Sequence, residues 1–109
     1  MTKAEYEFKK MLINDGYTID EIGVATLNGQ KVDVYRAIKD GTGIRRCEVL
    51  FWADVDAYHE KPYEDYISVS VDPTGYGRFV RRYNWYHQTA EDHFKALRSV
   101  LQGKGLRVG

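Results

Sequence analysis

"EIGVATLNGQKVDVYRAI", residues 21–38, decides the fold. Asn28-Gly29 stands between two runs rich in β-branched residues. Both residues tolerate the positive φ that a tight hairpin turn requires. A two-residue turn there pairs Leu27 with Gln30, Ala25 with Val32 and Gly23 with Val34. On the C-terminal side, "CEVLFWA" (47–53) reads as a third strand. A turn at Gly41-Thr42 sets Val34 opposite Val49 and Val32 opposite Phe51. Val32, Val34, Cys47, Val49 and Phe51 then share one face, and both hairpins agree on it.

Further out, "YISVSV" (66–71) alternates, with Ile67, Val69 and Val71 on one side and Ser68 and Ser70 on the other. "DPTG" (72–75) suits a three-residue hairpin loop, which pairs Val69 with Phe79 and Ile67 with Arg81. A last strand over about 76–86 follows. Helices flank the strands. Thr2 and Glu5 form a capping box ahead of an apolar stripe at Ala4, Phe8, Met11 and Leu12, and Gly16 closes it, which predicts a helix over 3–15. Thr89 with Asp92 opens a second helix, whose stripe is Ala90, His93, Phe94, Leu97, Val100 and Leu101; Gly103 ends it. The expected fold is therefore α+β in a single domain spanning 1–109. Its order is α-β-β-β-β-β-α, an antiparallel meander sheet with the N- and C-terminal helices on the valine face and a frayed tail at 104–109.

Composition narrows the functional classes. Of 109 residues 43% are hydrophobic and 9 of the 15 aromatics are tyrosine, enough for a core and for amphipathic surfaces. No apolar run approaches the ~20 residues of a membrane helix, and the charged start "MTKAEYEFKK" is no signal peptide. Cys47 is the single cysteine, which excludes an intrachain disulfide and a cysteine-based zinc site. The expected location is cytoplasmic, with no membrane partner. Net charge is zero, against bulk attraction to nucleic acid. The charge is uneven, however: residues 1–66 carry −4 and residues 67–109 carry +4.

Two surfaces draw functional expectations. The first is the acidic loop "DVDAYHEKPYED" (54–65), with Asp54, Asp56, Tyr58, Glu60, Tyr63, Glu64 and Asp65. The second is the sheet face away from the helices. Ile22, Val24, Tyr35, Leu50 and Trp52 would collect there, beside a stripe of Arg78, Arg82 and Tyr86. An apolar patch rimmed by arginine and tyrosine marks an interface. Trp52, Tyr35, Arg78, Arg82 and Tyr86 therefore join the loop residues as expected partner contacts. Guanidinium and phenol groups on an open strand also suit single-stranded RNA or DNA. The run "GYGRFVRRY" (75–83) superficially resembles the glycine–aromatic octamer of RNA-recognition motifs at Gly75, Tyr76, Gly77, Phe79 and Val80. Arg78 interrupts its alternation, and the helix-first order with consecutive strands rejects the kinship.

Catalytic chemistry finds no complete motif. Asp33 and Glu48 would face outward on neighbouring strands like a nuclease acid pair, but Leu50 occupies the lysine position. The carboxylates and His59 of the loop match no metal-ligand spacing. Cys47 reads as a small core hydrophobe, His93 as a core histidine, and His87 as a residue of the turn before the last helix. The expected function is a non-catalytic binding protein without cofactor or metal. It would act by protein–protein contact on a nucleic-acid-binding protein or enzyme, as a small phage or mobile-element inhibitor or accessory factor. The alternatives are a single-stranded nucleic-acid binder, a metal-dependent hydrolase, and self-association into a homodimer.

Overall fold

Seven elements follow one another in the computed structural model, which describes residues 1–40, 46–72, 80–81 and 87–103. They are α1 (Lys3–Asn14), β1 (Thr18–Leu27), β2 (Gln30–Asp40), β3 (Arg46–Ala53), β4 (Ile67–Asp72), β5 (Val80–Arg81) and α2 (Ala90–Gly103). All pairings are antiparallel and the sheet order is β1-β2-β3-β4-β5. This is the expected α+β meander with a helix at each end. Four strands make the body of the sheet. Of the fifth strand, expected over about 76–86, Val80 and Arg81 are described: Val80 pairs with Val71 and Arg81 with Ser70; the rest of that stretch lies outside the described residues.

Local chemistry explains the elements. The Thr2 side chain accepts from the Glu5 amide at 3.3 Å, and the Glu5 carboxylate accepts from the Thr2 amide at 3.0 Å, so two of α1's orphan donors are satisfied. At the other end Gly16 adopts φ +93, its amide bonds the Ile13 carbonyl, and the Tyr17 amide bonds Leu12. That pair of bonds is a Schellman motif, which needs a left-handed residue at Gly16. Asn28 (φ 49) and Gly29 (φ 76) both take positive φ, as the tight β1–β2 turn demands. Leu27 pairs with Gln30, Ala25 with Val32 and Gly23 with Val34, as the dipeptide predicts.

Beyond that hairpin the registers depart from expectation. Phe51 lies opposite Tyr35 and Val49 opposite Ala37, not opposite Val32 and Val34. The slip is three residues, an odd number, so the helix-side positions of β2 become Tyr35, Ala37 and Lys39. The length of the β2–β3 connection accounts for it, and a bulge separately affects β1. Five residues separate the paired Asp40 and Arg46, where a tight turn has two; the bulge between Glu21 and Gly23 shifts the far end of β1 against β2 and leaves the β2–β3 register untouched. Tyr35, expected on the open face, therefore stacks on Phe51 at 5.2 Å. The β4–β5 pairing is also three residues from the expected match of Ile67 with Arg81.

The core lies between the sheet and the two helices. Phe8 of α1 meets Phe51 of β3 edge to face at 5.2 Å. Ala4, Leu12, Cys47, Val49, Ile67, Val69, Val71, Ala90 and Leu97 complete it. Ala37 is fully buried, a small residue where Val34 was expected. His93 of α2 sits in this core, 2.8 Å from the Ile67 carbonyl through Nε2. No helix among the described residues is long and apolar enough to cross a membrane.

Candidate functional site: an acidic, aromatic loop closed by a histidine

The loop between β3 and β4 is built around its own carboxylates. Its neck closes where the Tyr63 amide donates to the Asp54 carbonyl at 3.0 Å. Inside the neck Asp56 makes an Asx turn, accepting from the Tyr58 amide at 2.8 Å. Its other oxygen accepts from the Tyr63 hydroxyl at 2.6 Å. Pro62, which lacks a backbone donor, keeps this stretch out of the sheet. Tyr58 stands at the tip and is 97% exposed. Glu60, Glu64 and Asp65 are exposed as well.

Among the described residues, contacts at three places hold the loop to the body: the β1–β2 turn, the start of α1, where Lys3 also pairs with Asp65 at 3.8 Å, and the segment entering α2. The side-chain amides of Asn28 and Gln30, at the β1–β2 turn, donate to the carbonyls of Val55 and His59. Glu64 receives the first turn of α1: its carbonyl accepts from the Ala4 amide at 2.7 Å and its carboxylate from the Lys3 amide at 2.9 Å. An acidic side chain at a helix N-terminus is favoured by the helix dipole. The third tie is His87, in the segment leading into α2. Its Nδ1 lies 2.5 Å from Asp54 Oδ2 and its Nε2 3.5 Å from Asp56 Oδ2. The imidazole packs against Tyr66 (5.2 Å, 21°) and Tyr63 (4.4 Å, 41°), while His59 stacks on Tyr63 at 4.2 Å. Beside this cluster runs a groove of about 570 Å³, lined by Thr2, His59, Lys61, Pro62, Tyr63, Glu64, Asp65 and Tyr66.

The network shifts its own acids. The Tyr63 hydroxyl, helped by the Tyr58 amide and the nearby histidines, holds the Asp56 carboxyl below its ordinary range. Conversely, the bond to Asp56 pushes the Tyr63 phenol up to about 12.

The structure thus brings Asp54, Asp56 and Tyr63 together as an internal framework and leaves Tyr58, Glu60, Glu64 and Asp65 outward. Trp52 is half-buried on β3 opposite Ser68. Tyr35 belongs to the helix face. Arg78, Arg82 and Tyr86 lie outside the described residues. His87 was legible only as a turn residue: its partners stand 33 and 31 positions earlier, with no periodicity linking them.

Asp33 and Glu48 do not form an acid pair. Glu48 sits opposite Ile38, five residues along β2 from Asp33, a separation of roughly 17 Å. Glu48 instead faces Arg36, which also pairs with Asp20. Among the described residues no group of three or more His, Cys, Asp or Glu is arranged to hold a metal ion. Cys47 is buried beneath Tyr17, whose hydroxyl is 3.8 Å from the sulfur.

With this geometry in view the chain was compared with known proteins: no family model, no curated protein and no solved structure matches it.

Proposed function

We propose that the chain is a non-catalytic binding protein that acts by protein–protein contact, presenting the tip of loop 54–66 to a basic, nucleic-acid-handling surface of its partner. One observation carries this reading. Tyr58 is held almost fully exposed at the end of a loop whose shape is set from within by Asp54, Asp56, Tyr63 and His87. Docking a tyrosine whose backbone is already fixed costs less entropy than ordering a free loop, and tyrosine is enriched among residues that dominate binding energy. Glu60, exposed two residues further along the loop, adds the charge that a phosphate-binding surface attracts, while Glu64 and Asp65 are exposed beside Lys3 at the start of α1. In this reading the protein is an inhibitor or accessory factor that occupies a nucleic-acid site.

The test is comparative capture. Immobilised protein is presented to extract of its own source cells beside the double variant Tyr58→Ala/Glu60→Lys, and bound proteins are challenged with excess single-stranded or duplex oligonucleotide. Support is a nucleic-acid-binding protein held by the parent chain, released by the oligonucleotide and lost in the variant. Capture that survives both the variant and the oligonucleotide defeats the reading. Direct binding of labelled oligonucleotide to the purified chain, weakening between about 50 and about 200 mM salt, would favour a nucleic-acid binder instead.

A further inference from the structure

His87 faces a carboxylate at each ring nitrogen, and a neutral imidazole cannot satisfy both. Neutral histidine has one N–H and one lone pair, so one of its two nitrogens would turn a lone pair toward a carboxylate oxygen. Only the imidazolium donates toward Asp54 at 2.5 Å and is attracted to Asp56 at 3.5 Å together. We infer that His87 is a proton-operated latch: protonated, it clamps Asp54 and Asp56 and holds loop 54–66 against the segment entering α2; deprotonated, it releases that side of the loop.

The surroundings favour this assignment. Among the described residues, the titratable groups facing the ring are Asp54 and Asp56 at its nitrogens and Tyr63 and Tyr66 against its faces. His59 stands one ring further off, stacked on Tyr63. Among the described residues no lysine or arginine pairs with either carboxylate; His87 is in direct contact with both, and His59 acts on Asp56 from further off. The other two ties of the loop, at Asn28 and Gln30 and at the start of α1, use amides, carbonyls, the Glu64 carboxylate and the Lys3–Asp65 pair. None of those groups changes charge between pH 5.5 and 8.5 by its ordinary chemistry. The third tie is therefore the one that a proton can operate. Its release frees the Tyr63–Tyr66–His87 stack while the α1 tie and the β1–β2 tie persist. The latch is independent of what the loop binds.

The test is NMR on the whole chain between pH 5.5 and 8.5. It follows the His87 ring nitrogens and the exchange protection of the Tyr58 and Tyr63 amides, corrected for intrinsic base catalysis. The Val49 and Phe51 amides serve as the core reference. Protection at Tyr58 and Tyr63 is expected to fall severalfold as His87 loses its proton, with the core reference unchanged. His87→Gln removes the transition, and His59→Gln retains it. Asp54→Asn keeps a hydrogen-bond acceptor but removes the charge, so the His87 midpoint moves to lower pH; this variant decides the matter if His87→Gln fails to fold. Flat protection in the parent chain, a transition that persists in His87→Gln, or an unmoved midpoint in Asp54→Asn overturns the inference.

Discussion

At the scale of single residues, burial and hydrogen bonding set the chemistry. Burial is the main cause that pushes the Cys47 thiol up to about 11, against the opposing bond from Tyr17. A thiol raised in the folded chain favours the protonated form. The stability it contributes is complete below the unfolded value of about 9 and is lost as pH rises from there toward 11. Reaction with a thiol reagent at pH 8 is therefore expected to be slow in buffer and to rise with the unfolding transition in urea; a fast reaction in buffer would contradict the buried site. Asp56 has the opposite sign. Its pKa is lowered, so its contribution is present above the unfolded value and disappears as pH falls through the folded one. Tyr63→Phe removes the first cause of that shift, so an Asp56 carboxyl carbon titration by NMR should move upward toward the ordinary aspartate range.

At the scale of elements, the helix caps and the Asn28-Gly29 turn were readable from sequence, and the registers of the later strand pairs were not. The Thr2/Glu5 box and Gly16 bracket α1 where the sequence predicts. Thr2→Ala is expected to cost about 1 kcal/mol in urea unfolding. Gly16→Ala should cost about 1–2 kcal/mol, because φ +93 disfavours any Cβ even though one built there meets only Lys39 at 3.6 Å. The β1–β2 hairpin was legible because Asn28-Gly29 permits one turn geometry and therefore one register. The β2–β3 register was not, since "KDGTGIRR" offers several turn lengths and each one-residue change inverts the face. Alternation placed Cys47, Val49, Phe51, Ile67, Val69 and Val71 in the core without error; it could not tell whether Val34 or Ala37 lay opposite them. The loop's acids and tyrosines were visible as a cluster, whereas its clamp was not. His87 reaches Asp54 through tertiary closure alone, and a lone histidine before a helix carries no spacing to betray it.

At the scale of the whole molecule, Asp15 gathers three elements at the end of α1. Its carboxylate receives Lys39 of β2 at 3.6 Å and Arg98 of α2 at 3.5 Å, with only 8% of its side chain exposed. Asp15→Asn is expected to lower stability by about 1 kcal/mol, the loss shrinking in high salt because Arg98 is partly solvated. Phe8→Ala should cost about 3–5 kcal/mol, since its fully buried ring packs against both Phe51 and His93. A smaller loss would mean that α1 does not seal this face of the sheet.

The packing of α1 against α2 also bears on how the chain is made. The strands pair with their sequence neighbours, so the sheet can assemble in the order in which a ribosome delivers it. The core cannot. Phe8, Phe51 and Ile67 are covered in part by Ala90, His93 and Leu97, which are synthesised after the strands. Until those residues clear the exit tunnel, the nascent sheet presents its apolar face to water or to a chaperone. The core should therefore close only after α2 has emerged, and a chain arrested before residue 90 should remain protease-sensitive even though its strands precede the arrest point.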